Sequence, residues 1–235
     1  MTRSRSVSLI AVFAALNVVC DAIIAPQLSS GVWYGLVFLV QPITGIVLGP
    51  STGFLSVLIG VLVGHTIIPR GTEEFLFTLG APIGAAVAGL LFRRGSKLVS
   101  AYYTVLLAAY FVTPIAWQLP IWGMWDVYCA YLILLITTFL IERRRDWVKK
   151  SGKPWFLALC AFIGLEADIL FRIFVFIPLG TYQLFYGLPL EILQGIWVAG
   201  ALITPFKVAT SAFVTSLIGL HLLKILPPNE QNERL

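Results

Sequence analysis

Seven ionisable residues interrupt long apolar runs, and they are the part of this sequence that could do chemistry: Asp21, His65, Asp126, Glu166, Asp168, Arg172 and Lys207. A charge inside a bilayer is costly, so such groups usually face a cavity or one another. With about 1.5 Å of rise per residue, all seven fall in the outer half of the predicted bundle. The inner half carries almost no charge. This asymmetry predicts an outward-facing polar pocket and argues against a continuous pore, which would need polar groups at every depth.

The seventh predicted helix carries the densest group of charges. Asp168 and Arg172 are one helical turn apart, so they form either a structural ion pair or part of a ligand site. Glu166 is rotated off their face, and it needs a partner on another helix, a ligand or a proton. We expect Glu166 to contact the bound solute.

Aromatic and histidine side chains extend the candidate site, although each also has a plain structural interpretation. Trp122 and Trp125 form either an aromatic wall or part of an interfacial belt. His65 is either a ligand contact or a packing residue, and Lys207 is either a site residue or an interface anchor. The predicted substrate-binding residues are Glu166, Asp168, Arg172, Asp126, Asp21, His65, Trp122 and Trp125.

Several classes of chemistry are excluded by missing motifs. The sequence has no P-loop and no Gly-x-Ser-x-Gly or His-Glu-x-x-His motif, and no nucleophile–base pair is visible. Its three cysteines have no paired spacing, and no cluster has the spacing of zinc ligands. No basic arm with interleaved aromatics predicts nucleic-acid binding. We therefore expect no enzyme activity, no metal and no cofactor.

The composition predicts an all-α, polytopic membrane bundle that forms a single domain over residues 1–235. Hydrophobic residues make up 59% of the chain and charged residues 11%. A soluble domain of this size could not bury so much apolar surface. Since a span needs about 20 apolar residues, eight are predicted. They lie at about 7–25, 32–48, 51–68, 76–92, 99–118, 121–141, 154–178 and 206–224.

The basic residues predict the orientation of these spans. Of 16 Lys and Arg residues, 13 fall on one side, and many of them lie in the loop 142–153. By the positive-inside rule that side is cytoplasmic, so both termini are predicted to be cytoplasmic. On the other side, residues 190–202 are too apolar for a solvated loop. They favour a re-entrant, lid-like helix before the last span, because irregular backbone at this depth must be buried in protein, and the alternative is that they form part of a long last helix.

The stretch Gln41–Pro69 predicts a tight helical hairpin, because only Gly49 and Pro50 separate its two apolar runs. Its glycines remove side-chain bulk and allow close helix contact. On the first helix, Ala11 and Ala15 lie four residues apart on one face. We expect this small-residue face to lie on the outer surface of the bundle or at a partner interface.

Four features resemble the substrate-binding S components of energy-coupling factor (ECF) transporters, of which this chain would be an enlarged and divergent member. They are the Ala-xxx-Ala of the first helix, LGPSTGFLSVLIGVLVGH, Gly164-Leu-Glu166-Ala-Asp168 and Thr204-Pro205-Phe206-Lys207. The resemblance covers 1–95 and 155–224. The pair 99–141 would be an added helical hairpin, since the family usually has six spans. The resemblance implies that Ala11 and Ala15 pack on a transmembrane coupling subunit.

The first functional interpretation is thus a multi-pass subunit of the cell membrane that binds a small vitamin-like solute from outside. Uptake would be driven by separate ATPase subunits. Acidic groups and aromatics on the outer side favour a cationic or neutral aromatic solute. The alternative is a structural or assembly subunit of a membrane complex with no transport role of its own, in which buried charges hold helices together.

Overall fold

A computed structural model describes residues 3–22, 35–69, 74–143 and 154–226, and all regular structure within these ranges is helical. The predicted all-α class is confirmed. The α-helices are α1 (Arg3–Ala22), α2 (Val37–Leu48), α3 (Pro50–Ile67), α4 (Glu74–Phe77), α5 (Gly80–Phe92), α6 (Ser96–Val112), α7 (Trp125–Arg143), α8 (Pro154–Phe176), α9 (Thr181–Leu184) and α10 (Leu190–Ile225). Two short 3₁₀ turns, Pro114–Gln118 and Ile121–Met124, connect α6 to α7.

Apolar length supports the membrane class. Within the described ranges, four helical segments are long and apolar enough to cross a membrane: Pro50–Ile67, Glu74–Phe92, Ile121–Leu140 and Leu190–Ile225. Three further apolar helices are shorter: Val7–Ala22, Val37–Leu48 and Ser96–Val112. α8 has 23 residues, but it carries three charged groups near its middle. The count of eight crossings stays a prediction.

The predicted hairpin between α2 and α3 is confirmed. Gly49 has a φ of 92°, a conformation that side chains disfavour, and Pro50 follows as the first residue of α3. Further along, a Cβ added to Gly53 would lie only 2.7 Å from the Cα of Gly45. The two helices therefore approach so closely that only glycine fits between them.

The buried helix α8 organises the rest of the bundle. α5 and α10 pack along it, and α6 and α7 pack against it and against each other. The hydroxyls of Tyr102 and Tyr103 on α6 donate to the carbonyls of Ala167 and Ile163 at 2.8 and 2.7 Å. These bonds fix α6 against α8. Most of the large hydrophobic core surrounds α8 on this side.

The last helix corrects one expectation. Residues 190–202 are not a lid-like segment separate from the last helix, because Leu190–Ile225 is one continuous helix of 36 residues. Pro205 removes the backbone N–H that would bond the carbonyl of Ala201, which normally weakens a helix. Here the indole Nε1 of Trp125 donates to that carbonyl at 3.0 Å. The carbonyl of Ala201 therefore has a hydrogen-bond donor, and the helix continues through Pro205.

α2 contains a second internal proline that is supported in the same way. Pro42 frees the carbonyl of Phe38, and the hydroxyl of Ser211 on α10 donates to it at 2.5 Å. In both cases a side chain from a packed neighbour replaces the missing helical hydrogen bond. A membrane helix tolerates proline where a neighbour re-satisfies the freed group in this way.

The bundle has two distinct ends. The segments 74–79, 113–124 and 177–189 meet at the end that we call the loop end. There Phe77 contacts the rings of Phe176 and Tyr186. The turn at Gly49, Arg93 and the last turn of α10 lie at the opposite end. The predicted basic loop 142–153 falls almost wholly outside the described residues.

Candidate functional site

A cavity of about 270 Å³ lies near the loop end, between α7, α8 and α10. We call it the main cavity. Its charged and hydroxylic lining consists of Glu74, Asp126, Arg172, Thr204 and Lys207, and its aromatic lining consists of Phe77, Phe176, Tyr186 and Trp197. Glycine, methionine and aliphatic residues complete the wall. A mostly apolar pocket with a few convergent polar groups is the usual form of a small-molecule site.

One face of α10 supplies a large part of this wall. Trp197, Gly200, Thr204 and Lys207 all line the main cavity, and their spacing of three, four and three residues places them on one helical face. Gly200 leaves open space, since a Cβ added there would meet no atom within 4 Å. The continuity of α10 through Pro205 therefore positions the site.

Trp197 is the central aromatic of the wall. Its ring stacks on Tyr110 and on Phe176, with centroid distances of 6.4 Å in both pairs and interplanar angles of 9° and 11°. The side chain is almost wholly buried. A ring held between two others is well ordered, and it offers its free edge to an apolar ligand.

Lys207 is a buried cation of the site. It is only 9% exposed, yet it lines the main cavity and a second, smaller cavity. Its Nζ lies 5.4 Å from the ring centroid of Phe38. Among the described residues, no group makes a hydrogen bond or a close ion pair with this ammonium. A buried ammonium has three donors that each need an acceptor.

A side cavity of about 50 Å³ lies behind the main one. The two share Glu74, Phe77, Arg172 and Lys207, so these residues form a partition. The remaining polar lining of the side cavity consists of Asp21, Gln41, His65, Thr78 and Asp168. Several predicted site residues therefore meet around two adjoining spaces.

The predicted pair Asp168–Arg172 forms in the structure. The Nε of Arg172 donates to Asp168 Oδ1 at 2.6 Å, and the amide of Gln41 donates to the other carboxylate oxygen at 3.1 Å. Asp168 is thus satisfied from α2 and from its own helix. The Arg172 side chain is 35% exposed and reaches both cavities, so this pair combines a structural role with a place in the wall.

His65 connects three helical segments beside the side cavity. Its Nε2 lies 3.6 Å from Asp21 Oδ2, and its Nδ1 lies 3.1 Å from the hydroxyl of Thr78. The ring of Phe75 packs edge-on against it at 5.6 Å. His65 and Asp21 therefore lie at the same depth in the bundle and approach each other. Their direct partners are protein groups, and they border only the side cavity.

Asp126 lies in the wall of the main cavity at the start of α7. One carboxylate oxygen accepts the backbone N–H of Val127 at 2.9 Å, and the other accepts the hydroxyl of Thr204. The carboxylate therefore links α7 to α10 at the point where both border the cavity. Its prediction as a site residue agrees with this placement.

Glu166 does not line either cavity, contrary to the expectation that it contacts the solute. The side chain is fully buried, and neither carboxylate oxygen has a hydrogen-bond partner among the described residues. Asp126, Asp168 and Lys207 are the charged groups close enough to interact with it. The structure places Glu166 behind the wall.

Trp122 and Trp125 also lie outside the cavity lining. Both side chains are about half exposed, which fits the alternative interpretation as interfacial aromatics. The indole of Trp125 donates to the carbonyl of Ala201, which Pro205 leaves without its helical donor. The aromatic wall comes instead from Phe77, Phe176, Tyr186 and Trp197.

Sequence reasoning undervalued Trp197 and Lys207 for a single reason. The predicted lid-like segment ends at residue 202, and the predicted last helix begins at 206. This break places Lys207 at a helix end, where cations often serve as anchors. In the continuous helix it lies in the middle. The spacing of Trp197, Gly200, Thr204 and Lys207 was the signal that could have identified this face.

Ala11 and Ala15 lie on the exposed side of α1. The opposite side of α1 packs on α3, where Asn17 and Ala14 contact Gly60 closely. The small-residue face is therefore not part of either cavity, as the sequence led us to expect. Its proposed partner stays a prediction.

No family model, curated protein or solved structure matches this chain. Within the described residues, no group of three or more His, Cys, Asp or Glu side chains is arranged to hold a metal ion. The candidate site consists of the two cavities and the charged and aromatic side chains around them. Such an arrangement can bind and orient a small organic molecule.

Proposed function

We propose that this chain is a membrane-embedded solute-binding subunit that captures a small vitamin-like molecule from outside. The observation that carries the proposal is the main cavity, in which four aromatic rings and four ionisable side chains surround one space inside an apolar bundle. Its volume of about 270 Å³ is near the lower end of the range for small-molecule pockets. The solute is therefore small.

The arrangement of the bundle supports outside capture. The main cavity lies near the loop end, whereas Arg93, Arg94, Lys97 and Lys224 lie at or near the opposite end. By the positive-inside rule the end with these basic residues is cytoplasmic, so the cavity faces outward. We propose eight crossings with both termini cytoplasmic.

Transport would require energy from other chains, since the sequence has no P-loop. The resemblance to ECF S components supplies the candidate: a transmembrane coupling subunit with ATPase subunits. The exposed face around Ala11 and Ala15 offers room for close helix packing, because small side chains let backbones approach. We propose this face as the contact with the coupling subunit.

The second candidate function, a structural subunit of a membrane complex, is favoured by a different observation. Buried polar bridges join the helices, notably Gln41–Asp168–Arg172 and Asp21–His65–Thr78. Interhelical hydrogen bonds of this kind stabilise membrane bundles with or without a ligand. These bridges do not account for the main cavity, so solute binding remains the first proposal.

Native mass spectrometry of the purified protein tests the choice. We expect a fraction of the protein to carry a small, non-lipid adduct that is released on collisional activation. Denaturing extraction then identifies the molecule. Protein that is adduct-free and instead co-purifies with other membrane subunits would favour the structural role.

A further inference from the structure

The charges around the two cavities are not equally satisfied. Four carboxylates and two basic side chains, Arg172 and Lys207, border them, so a simple count favours a cationic solute. Hydrogen-bond partners reverse that conclusion. Asp168 accepts from Arg172 and Gln41, Asp126 accepts from Thr204 and Val127, and Glu74 accepts the hydroxyl of Tyr186 at 3.4 Å. His65 lies 3.6 Å from Asp21.

Lys207 differs from all of these groups. Lys207 borders both cavities, and among the described residues its ammonium has no hydrogen bond and no carboxylate within 4 Å, although Asp168 and Glu166 interact with it at longer range. Phe38 covers one side of it, and a ring face cannot serve as an acceptor for all three N–H groups. Each N–H of this ammonium needs an acceptor, and an anionic group in the cavity would supply charge-assisted hydrogen bonds at this position.

The order of groups along α10 gives the shape of the molecule that would meet this demand. Trp197 and Gly200 form an apolar, ring-lined part of the cavity, and Lys207 follows beyond Thr204 on the same face. Arg172 on α8 lines the same space, with only its Nε committed to Asp168 among the hydrogen bonds that the structure gives it.

We propose that the bound solute is a small aromatic carboxylate. Its ring lies against Trp197 and Phe176, and its carboxylate accepts hydrogen bonds from Lys207 with support from Arg172. This inference rests on the proposed function and specifies its substrate class. It replaces the cationic or neutral solute that the sequence favoured, because side-chain partners could not be read from the sequence.

Three indole probes with the same ring test the charge: indole-3-propionate, its amide, and tryptamine. Binding to the purified full-length protein in phosphatidylcholine nanodiscs is measured by calorimetry. We expect the carboxylate to bind at least tenfold more tightly than the amide, about 1.4 kcal/mol, and more tightly than tryptamine. Lys207→Gln should abolish that preference, whereas Lys207→Arg should largely retain it.

Lys224→Gln is the matched control. It removes the same charge from the same helix, but Lys224 is exposed near the last turn and lines neither cavity. The preference should be unchanged in this variant. If Lys207→Gln does not fold, the wild-type ranking and Lys207→Arg still decide the question.

The outcomes separate this inference from the function on which it rests. Equal or tighter binding of the amide or of tryptamine would overturn the carboxylate inference, while a cavity that binds solutes would stand. No binding by any probe would also overturn the inference, and the adduct found by native mass spectrometry would then decide the function separately. A third outcome is that indole-3-propionate binds in phosphatidylcholine nanodiscs but not after phosphatidylglycerol is added. The anion near Lys207 would then be a lipid headgroup, which would overturn the proposal of a soluble carboxylate.

Discussion

At the scale of single residues, Glu166 and Lys207 show that burial alone does not determine whether an ionisable side chain faces a cavity. Both are ionisable side chains buried inside the bundle, and the two carboxylate oxygens of Glu166 lack hydrogen-bond partners among the described residues. Lys207 faces two cavities, whereas Glu166 faces none. Only the first can be satisfied by a solute. A sequence identifies both as costly charges, but the direction in which each points depends on how its helix is rotated in the bundle.

Replacing Glu166 tests its position behind the wall. Glu166→Leu removes two buried oxygens without partners, so we expect the free energy of unfolding to rise by about 1 kcal/mol. Thermal unfolding of the purified protein in detergent measures the change, and ligand binding should be retained. The control, Asp168→Leu on the same helix, strands Arg172 and Gln41 and should lower stability by about 3 kcal/mol. A destabilised Glu166→Leu variant that no longer binds solute would show that Glu166 has a partner in the site.

At the scale of helices, two prolines determine the course of α2 and α10. Each frees one carbonyl, and a side chain on a neighbouring helix donates to it: Ser211 to Phe38, and Trp125 to Ala201. The helices are thus joined at the points where they would otherwise be weakest. In α10 this arrangement holds Trp197 and Lys207 on either side of the proline, facing one cavity.

A double-mutant cycle tests the support of α10. Trp125→Phe removes the indole N–H, so the carbonyl of Ala201 loses its partner and we expect a loss of about 1–2 kcal/mol. Pro205→Ala restores the backbone N–H that can bond this carbonyl. In the Pro205→Ala background, Trp125→Phe should therefore cost markedly less. Chemical unfolding of the four proteins gives the coupling, and equal costs in both backgrounds would contradict the proposed support.

The sequence predicted the positions of the helices better than the contacts between them. Apolar length located the helices, and Gly49-Pro50 located the hairpin, because these signals are local. The predicted last span begins at 206, directly after Pro205, whereas the helix runs through this proline because Trp125, 80 residues away in sequence, supplies a donor. Asp21 and His65 border the side cavity only, and their part in a solute site stays a prediction. Glu166, Trp122 and Trp125 were placed in the solute site, from which helix rotation and long-range packing exclude them.

At the scale of the whole molecule, the two ends of the bundle differ in their charged residues. The cavities and their charges lie towards the loop end, and the basic residues Arg93, Arg94 and Lys97 lie towards the other end. Under the proposed function, the orientation of the bundle in the membrane determines which side supplies the solute.

Thiol labelling of intact cells tests this orientation. The background protein lacks Cys20, Cys129 and Cys160. A single cysteine is then introduced either at Leu184, at the loop end, or at Lys97, at the opposite end, and both positions are exposed. We expect an impermeant maleimide to label Leu184→Cys from outside, and Lys97→Cys only after the cells are opened. The reverse pattern would place the main cavity on the cytoplasmic side and contradict outside capture.

Filling the main cavity tests the central claim most directly. Gly200 lines it and Gly195 does not, although both lie on α10 with open space around them. Gly200→Phe should place a ring in the cavity, whereas Gly195→Phe should place the same ring outside the bundle. Native mass spectrometry of both purified variants measures the fraction that carries the small-molecule adduct. We expect Gly195→Phe to retain the wild-type occupancy and Gly200→Phe to lose at least about tenfold in affinity. Equal occupancy in the two variants would contradict binding in this cavity.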